Sequence, residues 1–203
     1  ARALEPDAAF GVARSFSGRK WILQRADEEV ARELARNSGV SFTLARLLVG
    51  RGVTADALQD VLNPTLKRLM PDPLVLLNMD KAVARANTAI ENGEHIAIFG
   101  DYDVDGSCSS ALLHDFLLAL DIKPRIYIPD RMTEGYGPSA NAMRTLKDEG
   151  ASLVITVDCG ATAKDALSAA RDLGLDVVVL DHHAVEDAPP SFAQVNPNQA
   201  GDT

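Results

Sequence analysis

Hydrophobic and polar residues follow two different rhythms along the chain. From about residue 94 onward, short runs of branched apolar residues alternate with longer segments whose apolar residues have helical spacing. Continuous apolar runs are typical of strands covered on both faces, and the segments between them are typical of crossover helices. The pattern predicts an α/β fold, a parallel sheet with helices on both faces. The predicted strands are residues 95–100, 125–129, 153–157, 176–180 and 193–195, and the predicted helices are 107–120, 139–149 and 162–173.

The first part of the chain has no such alternation. Residues 1 to about 20 are predicted to form an extended arm, and residues 21–25 a short strand. Capping residues and terminators then predict three short helices. A connector around residues 71–73 precedes a further helix over 80–92. We therefore predict a small helical N-terminal element over residues 1–79 and an α/β domain over 80–203. The three short helices are expected at 27–39, 41–50 and 54–63.

Composition limits the possible partners. The chain has 203 residues, of which 46% are hydrophobic and 24% charged, with a formal net charge of −9. This acidity is unusual for a protein whose affinity rests on duplex phosphates. Either nucleic acid is not the partner, or bound metals and a local basic face offset the acidity, or a basic region lies outside this chain. Two cysteines cannot form a disulfide framework, which suits a reducing cytosol. No apolar run is long enough to span a bilayer, and the N-terminus lacks the apolar core of a signal peptide. We therefore expect a cytoplasmic protein with no membrane contact.

Polar residues cluster where the predicted strands end. Three aspartates follow the first strand, one follows the third, and an Asp-His-His sequence follows the fourth. The carboxyl edge of an open α/β sheet is where ligands bind. If the extended geometry persists past the first strand, its three alternate aspartates share one face and repel one another, and a divalent cation would compensate. The clustered residues are Asp101, Asp103, Asp105, Asp158, Asp181, His182 and His183.

Each cluster also has an ordinary structural interpretation. A single aspartate after a strand is commonly a helix cap, a histidine pair at a strand end is commonly a surface pair, and an acidic turn can simply be solvated. Taken together, the clustered carboxylates and two imidazoles at one edge favour two metal ions that share a bridging carboxylate. Such a pair could polarise a phosphoryl oxygen and generate a hydroxide nucleophile. Oxygen and nitrogen ligands favour Mn²⁺ or Mg²⁺ over a structural zinc site. A plain nucleotide-binding module is disfavoured because no glycine-rich phosphate loop follows the first strand.

Three motifs resemble those of a known superfamily. Phe99-Gly-Asp-Tyr-Asp-Val-Asp-Gly106, Val157-Asp-Cys-Gly160 and Asp181-His-His183 are similar to the first three motifs of the DHH phosphoesterases. Within that superfamily, the chain most resembles the RecJ family of bacterial single-stranded-DNA exonucleases. The further matches are the Trp21 segment and residues 62–64, 71–73, 79–81, 129–131, 134–137 and 195–198.

The resemblance implies a role for each matching residue. Asp103 and Asp105 would each ligate a metal ion, Asp158 would bridge the two ions, and His182 would be a ligand. The remaining residues would support the metal ions or contact the substrate. His183 would contact the scissile phosphate or complete the coordination, Asp101 would be a ligand or support one, Asp181 would orient the histidines, and Arg131 would bind substrate.

The resemblance also implies an activity: metal-dependent, stepwise hydrolysis of single-stranded DNA from its 5′ end, in DNA repair and recombination. The implied partners are single-stranded DNA, a single-strand-binding protein and a helicase, and we expect a monomer. RecJ proteins are far longer than this chain, so we expect an N-terminal fragment with little activity alone. The alternatives are a nano-RNase or cyclic-dinucleotide phosphodiesterase of the same superfamily, and a non-catalytic DHH-like replication scaffold.

Overall fold

The chain divides into two units, residues 1–70 and residues 71–203. In the described part of the first unit, four short α-helices follow one another. The computed structural model describes residues 8–187 and 189–202. An aspartate and a serine side chain cap the first two helices by accepting backbone N–H groups. The first three helices pack around a small apolar core of Ala31, Leu34, Ala45, Leu48 and Leu58. Their bounds are α1 Glu28–Ser38, α2 Phe42–Gly50, α3 Leu58–Leu62 and α4 Leu66–Leu69.

The structure corrects three predictions for this region. The third predicted helix is shorter than expected, and a separate helix, α4, follows Pro64 because proline cannot continue a helix from its predecessor. The predicted strand over residues 21–25 is wrong, since residues 20–27 form neither helix nor strand. The predicted arm lies partly outside the described residues, because residues 1–7 are not among them; within it, Ala9–Gly11 forms one 3₁₀ turn.

The second unit contains the predicted parallel sheet. Five strands pair in the order β2-β1-β3-β4-β5, and every pairing is parallel. The three central strands have few exposed residues, as expected of strands covered on both faces. The strand bounds are β1 Ile96–Gly100, β2 Arg125–Tyr127, β3 Leu153–Val157, β4 Asp176–Leu180 and β5 Ala193–Val195.

Helices cover both faces of this sheet, which confirms the predicted fold class. Helices α5 (Met79–Glu91) and α6 (Val104–Leu118) pack on one face, through a core that includes Ala89, Leu117 and Ile98. Helices α7 (Ala140–Asp148) and α8 (Lys164–Asp172) cover the other, through a core that includes Met143, Leu167 and Phe99. Among the described helices, none combines the length and apolar character that crossing a membrane requires.

The register of the sheet aligns the ends of its three central strands. Gly100 of β1 pairs with Val157 of β3, and Val157 pairs with Leu180 of β4. The residues that directly follow these positions must therefore be neighbours at the carboxyl edge. They are Asp101, Asp158 and Asp181.

Candidate metal centre

Three buried aspartates lie side by side where the central strands end. Asp101 is 2% exposed, Asp158 7% and Asp181 8%. The backbone of Asp158 adopts φ 60°, a left-handed conformation that costs a non-glycine residue about 1–3 kcal/mol. Its N–H donates to the carbonyl oxygen of Leu180 at 2.9 Å, which ties the strained residue to β4. Strained backbone of this kind occurs at functional sites, and here it directs a buried carboxylate towards the sheet edge.

The two remaining aspartates of the first cluster belong to the start of α6. Asp103 is the N-cap: its Oδ1 accepts the N–H of Gly106 at 3.0 Å, and this hydrogen bond lowers the pKa of Asp103. Asp105 lies in the first turn of the helix and is exposed. The helix therefore begins at Val104 rather than at residue 107, and the expected extended geometry ends before Asp105.

Two glycines allow α6 to approach the end of β1. A Cβ atom added to Gly106 would lie 2.6–2.7 Å from the backbone N, backbone O and Cβ of Asp101. A Cβ atom added to Gly100 would lie 2.1 Å from Oγ of Ser110. The clash at Gly106 is mostly with backbone atoms, so this close contact between strand and helix requires glycine there, whereas a side chain at Gly100 would have to displace the Ser110 hydroxyl.

The ligand atoms at this edge form two groups that share one residue. Asp101, Asp103 and Asp158 make up the first group, and Asp158, His182 and His183 the second; within each group the atoms lie within 4.8 Å of one another. His182 Nε2 is 3.0 Å from Asp158 Oδ1. Asp105, which the family resemblance assigned to the ligands, belongs to neither group.

The electrostatics of the aspartates fit a divalent cation. Burial raises the pKa of the Asp158 carboxyl, and the neighbouring Asp103 carboxylate raises it further. Oδ1 of Asp101 is buried and has no hydrogen-bond partner among the described residues. A cation among these oxygens would offset the repulsion and provide a partner for Asp101. Cys159 is fully buried and its pKa is raised by that burial, so its thiol is not a suitable ligand.

Asp181 holds the histidine pair in place. Its carboxylate accepts the backbone N–H groups of Ala161 at 2.9 Å, His182 at 2.7 Å and His183 at 3.2 Å. The Nδ1 atom of His183 lies 2.7 Å from Oδ1 of the same carboxylate. Burial alone would raise the pKa of Asp181, but these hydrogen bonds outweigh it, so the pKa of Asp181 is lowered. The hydrogen bond to Asp181 raises the pKa of His183. Asp181 therefore leaves Nε2 of His183 directed away from it.

Two asparagines support the same histidines from the loop after β5. The side-chain amide of the fully buried Asn196 donates to the carbonyl oxygen of His183 at 2.9 Å. That of Asn198 donates to the carbonyl oxygen of His182. Sequence reasoning matched residues 195–198 to a family motif but assigned them no role; the structure shows that they anchor the His-His backbone.

An aromatic row leads outward from the histidines, and sequence reasoning matched its central member to a family motif but assigned it no role. The ring of Tyr136 is edge-on to His183 at 6.0 Å and to Tyr102 at 6.4 Å between centroids. The guanidinium of Arg131 lies 5.3 Å from the Tyr102 ring centroid. Tyr136 belongs to the loop after β2, and loops that leave a parallel sheet at this edge are the signal that could have identified it.

An apolar hollow of about 310 Å³ adjoins the carboxylates. Asp158, Asp181 and His182 contribute to its lining, and no lysine or arginine from the described part of the chain does. Its surface therefore suits an uncharged group better than a phosphate. The apolar residues that line it are Leu76, Met79, Leu180, Val195 and Pro197.

Comparison with known proteins places this geometry in a family context. Residues 95–203 match the model of the DHH family, N-terminal domain. A Bacillus subtilis (strain 168) protein named single-stranded-DNA-specific exonuclease RecJ is 39% identical over 186 residues, which cover 91% of this chain and 24% of that protein.

Two solved structures have a similar fold. A crystal structure of exonuclease RecJ bound to manganese has a TM-score of 0.59 and 34% identity, over 66% of this chain and 34% of that one. A crystal structure of RecJ in complex with Mn²⁺ from Thermus thermophilus has a TM-score of 0.64 and 28% identity, over 86% of this chain and 24% of that one. The chain thus spans about a quarter of the length of the curated relatives that it matches.

Proposed function

This chain belongs to the DHH family, and from that premise we propose that it carries metal-binding residues of a RecJ-like exonuclease. Such an enzyme hydrolyses single-stranded DNA from the 5′ end during repair and recombination. The single observation that carries the proposal is the shared position of Asp158 in two overlapping groups of ligand atoms. Residues that hold two adjacent ions through one bridging carboxylate have this arrangement. The relatives that bear the RecJ name, two of them with manganese in their solved structures, support the same function.

The proposed ligands come from three segments of the chain. Asp103 and Asp105 from the start of α6, Asp158 after β3 and His182 after β4 would hold two Mn²⁺ or Mg²⁺ ions. The exposed carboxylate of Asp105 would join the other ligands by a side-chain rotation in the first turn of α6. When bound, such ions stabilise charge on a phosphoryl oxygen and lower the pKa of water.

The other site residues would orient the ligands and the substrate. Asp101 is too buried to contact substrate, so its carboxylate would support the metal ions from the buried side of the site. Asp181 fixes the His183 ring, which can then present Nε2 to a phosphate oxygen. Arg131, an exposed cation next to the aromatic row, would contact the phosphate backbone of the DNA. The apolar hollow would accept a base or its sugar.

Metal binding tests the proposal without depending on the activity of the much longer relatives. We expect Mn²⁺ titrated into this chain in a calorimeter to bind saturably, and Asp158→Ala to weaken that binding more than about tenfold. Asp172→Ala is the matched control, because Asp172 is an exposed carboxylate at the far end of α8. Equal binding by all three proteins would place the metal elsewhere. A failure of the unaltered chain to bind Mn²⁺ would instead favour a non-catalytic scaffold.

A further inference from the structure

The carbonyl group of the strained Asp158 residue is held by a side chain from outside the strand. The hydroxyl of Tyr136 donates to the carbonyl oxygen of Asp158 at 3.3 Å. On the other side, the N–H of Asp158 is bonded to Leu180 of the neighbouring strand. The peptide groups on either side of the Asp158 Cα atom, where φ is 60°, are therefore both held by hydrogen bonds. The sheet provides one bond, and Tyr136, 22 residues earlier in the chain, provides the other.

The same hydroxyl also reaches the histidine that Asp181 orients. Oη of Tyr136 lies 3.5 Å from Nε2 of His183. Because Asp181 occupies Nδ1 of that ring, Nε2 is the ring nitrogen left to face the hydroxyl. The Tyr136 ring packs edge-on against the imidazole at the same time, so the hydroxyl and the ring contact the site in different ways.

The loop that carries Tyr136 is built to hold its shape. Asp130 accepts backbone N–H groups from Met132 at 2.8 Å and Thr133 at 3.1 Å, which makes a tight turn after β2. Glu134 accepts both the N–H of Asp130 at 2.9 Å and the hydroxyl of Tyr127 at 2.5 Å. These bonds tie the loop to β2 two residues before Tyr136, so the tyrosine projects from a braced segment.

We propose that Tyr136 is a positioning residue of the metal centre: its hydroxyl fixes the Asp158 peptide and so aims the carboxylate that both ligand groups share. This inference rests on the proposed metal site. It assigns a function to the loop after β2, which contains none of the proposed metal ligands. The hydroxyl is bonded to the backbone of Asp158 rather than to its ligand oxygens. Its effect reaches the metal only through that backbone.

The test compares Tyr136→Phe with Tyr102→Phe. Each variant loses one hydroxyl and keeps its ring, but the Tyr102 hydroxyl makes no hydrogen bond within the described part of the chain. Both hydrogen bonds of Tyr136 are long, so we expect Tyr136→Phe to weaken Mn²⁺ binding by about threefold to tenfold and Tyr102→Phe to leave it unchanged. The metal-free melting temperature of the two variants should stay close to that of the parent chain.

A spectroscopic measurement separates positioning from general stability. Loss of a hydrogen bond to the Asp158 carbonyl should shift the ¹³C resonance of that carbonyl and the ¹⁵N resonance of the Cys159 amide in metal-free Tyr136→Phe. Tyr102→Phe should move neither resonance. Unshifted resonances, or Mn²⁺ affinity equal to that of the parent chain, would overturn the inference. The inference would also fail if Mn²⁺ affinity fell in a Tyr136→Ala variant but not in Tyr136→Phe, because the ring rather than the hydroxyl would then be responsible. If the parent chain itself binds no Mn²⁺, the proposed function fails first, whereas the carbonyl shift still tests the hydrogen bond.

Discussion

Substitution of Gly106 by alanine tests whether the close contact between α6 and β1 shapes the metal centre. Gly106 lies in the first turn of α6, where alanine is favoured over glycine by about 1 kcal/mol. Against this gain, the new Cβ would lie 2.6–2.7 Å from three atoms of Asp101, two of them backbone. Backbone cannot rotate out of the way, so we place the cost near the upper end of the usual overpacking range, at about 3 kcal/mol. The expected net loss is about 2 kcal/mol in the free energy of unfolding.

Urea denaturation followed by circular dichroism measures this loss. Gly50→Ala is the chemical control, because its Cβ would meet only an ordinary contact, 3.7 Å from Cβ of Ala26, at a helical position. Gly50 belongs to the first unit, so Ser107→Ala, at an exposed position of the same turn of α6, provides the control within the second. We expect both controls to unfold at urea concentrations equal to or above that of the parent chain.

The same variant should impair metal binding. A shift of the first turn moves the Gly106 N–H that holds the Asp103 carboxylate and displaces Asp101. We expect Mn²⁺ affinity to fall by about tenfold or more, as it does when groups that support ligands are removed. If Gly106→Ala were as stable as the parent chain and bound Mn²⁺ equally well, the close contact would not determine the site geometry.

Two further substitutions test contacts away from the metal. The side chain of Arg85 is 10% exposed and donates to Glu94 and Asp176 at 2.6 Å each. Both carboxylates keep access to solvent, so Arg85→Met should lower the free energy of unfolding in urea by about 1–3 kcal/mol. An unchanged free energy of unfolding would mean that water replaces the ion pairs without penalty. Hydrogen bonds from two backbone amides lower the pKa of Asp130 from its ordinary value, so its charge stabilises the fold at neutral pH. This contribution is lost as the pH falls through the lowered pKa. Asp130→Asn should therefore be less stable than the parent at pH 7, with a difference that narrows under acid; a difference independent of pH would show that the charge is not involved.

The strands could be predicted closely because parallel strands have a strong local signal. The bounds of the strands at 153–157, 176–180 and 193–195 were expected as the structure has them. The first two are runs rich in branched apolar residues, whereas the third is shorter and contains the polar Gln194. The start of α6 was not predicted, because the Asp103 side chain accepts an N–H three residues later and begins the helix where extended geometry was expected.

The site could be predicted only as far as its residues follow strand ends. Asp101, Asp158 and Asp181 meet because the sheet register aligns them, and the order of polar clusters along the chain already indicated that edge. Tyr136 and Asn196 lie in segments matched to the family, but their roles were not predicted, because their contacts depend on loop conformations that no periodicity encodes. The family motif predicted Asp105 as a ligand, whereas the first turn of α6 leaves its side chain exposed.

The register that aligns the three strand ends has a consequence for the order of folding. The first and last proposed ligands, Asp103 and His182, are far apart in sequence, and Asp158 reaches both only after β1, β3 and β4 have paired. Such non-local pairings form slowly, because the intervening chain must first be closed into loops. A metal ion would therefore have no complete site until these strands have paired, and its binding would follow their pairing. Metal binding would then be a consequence of completed strand pairing, rather than a step that promotes the pairing.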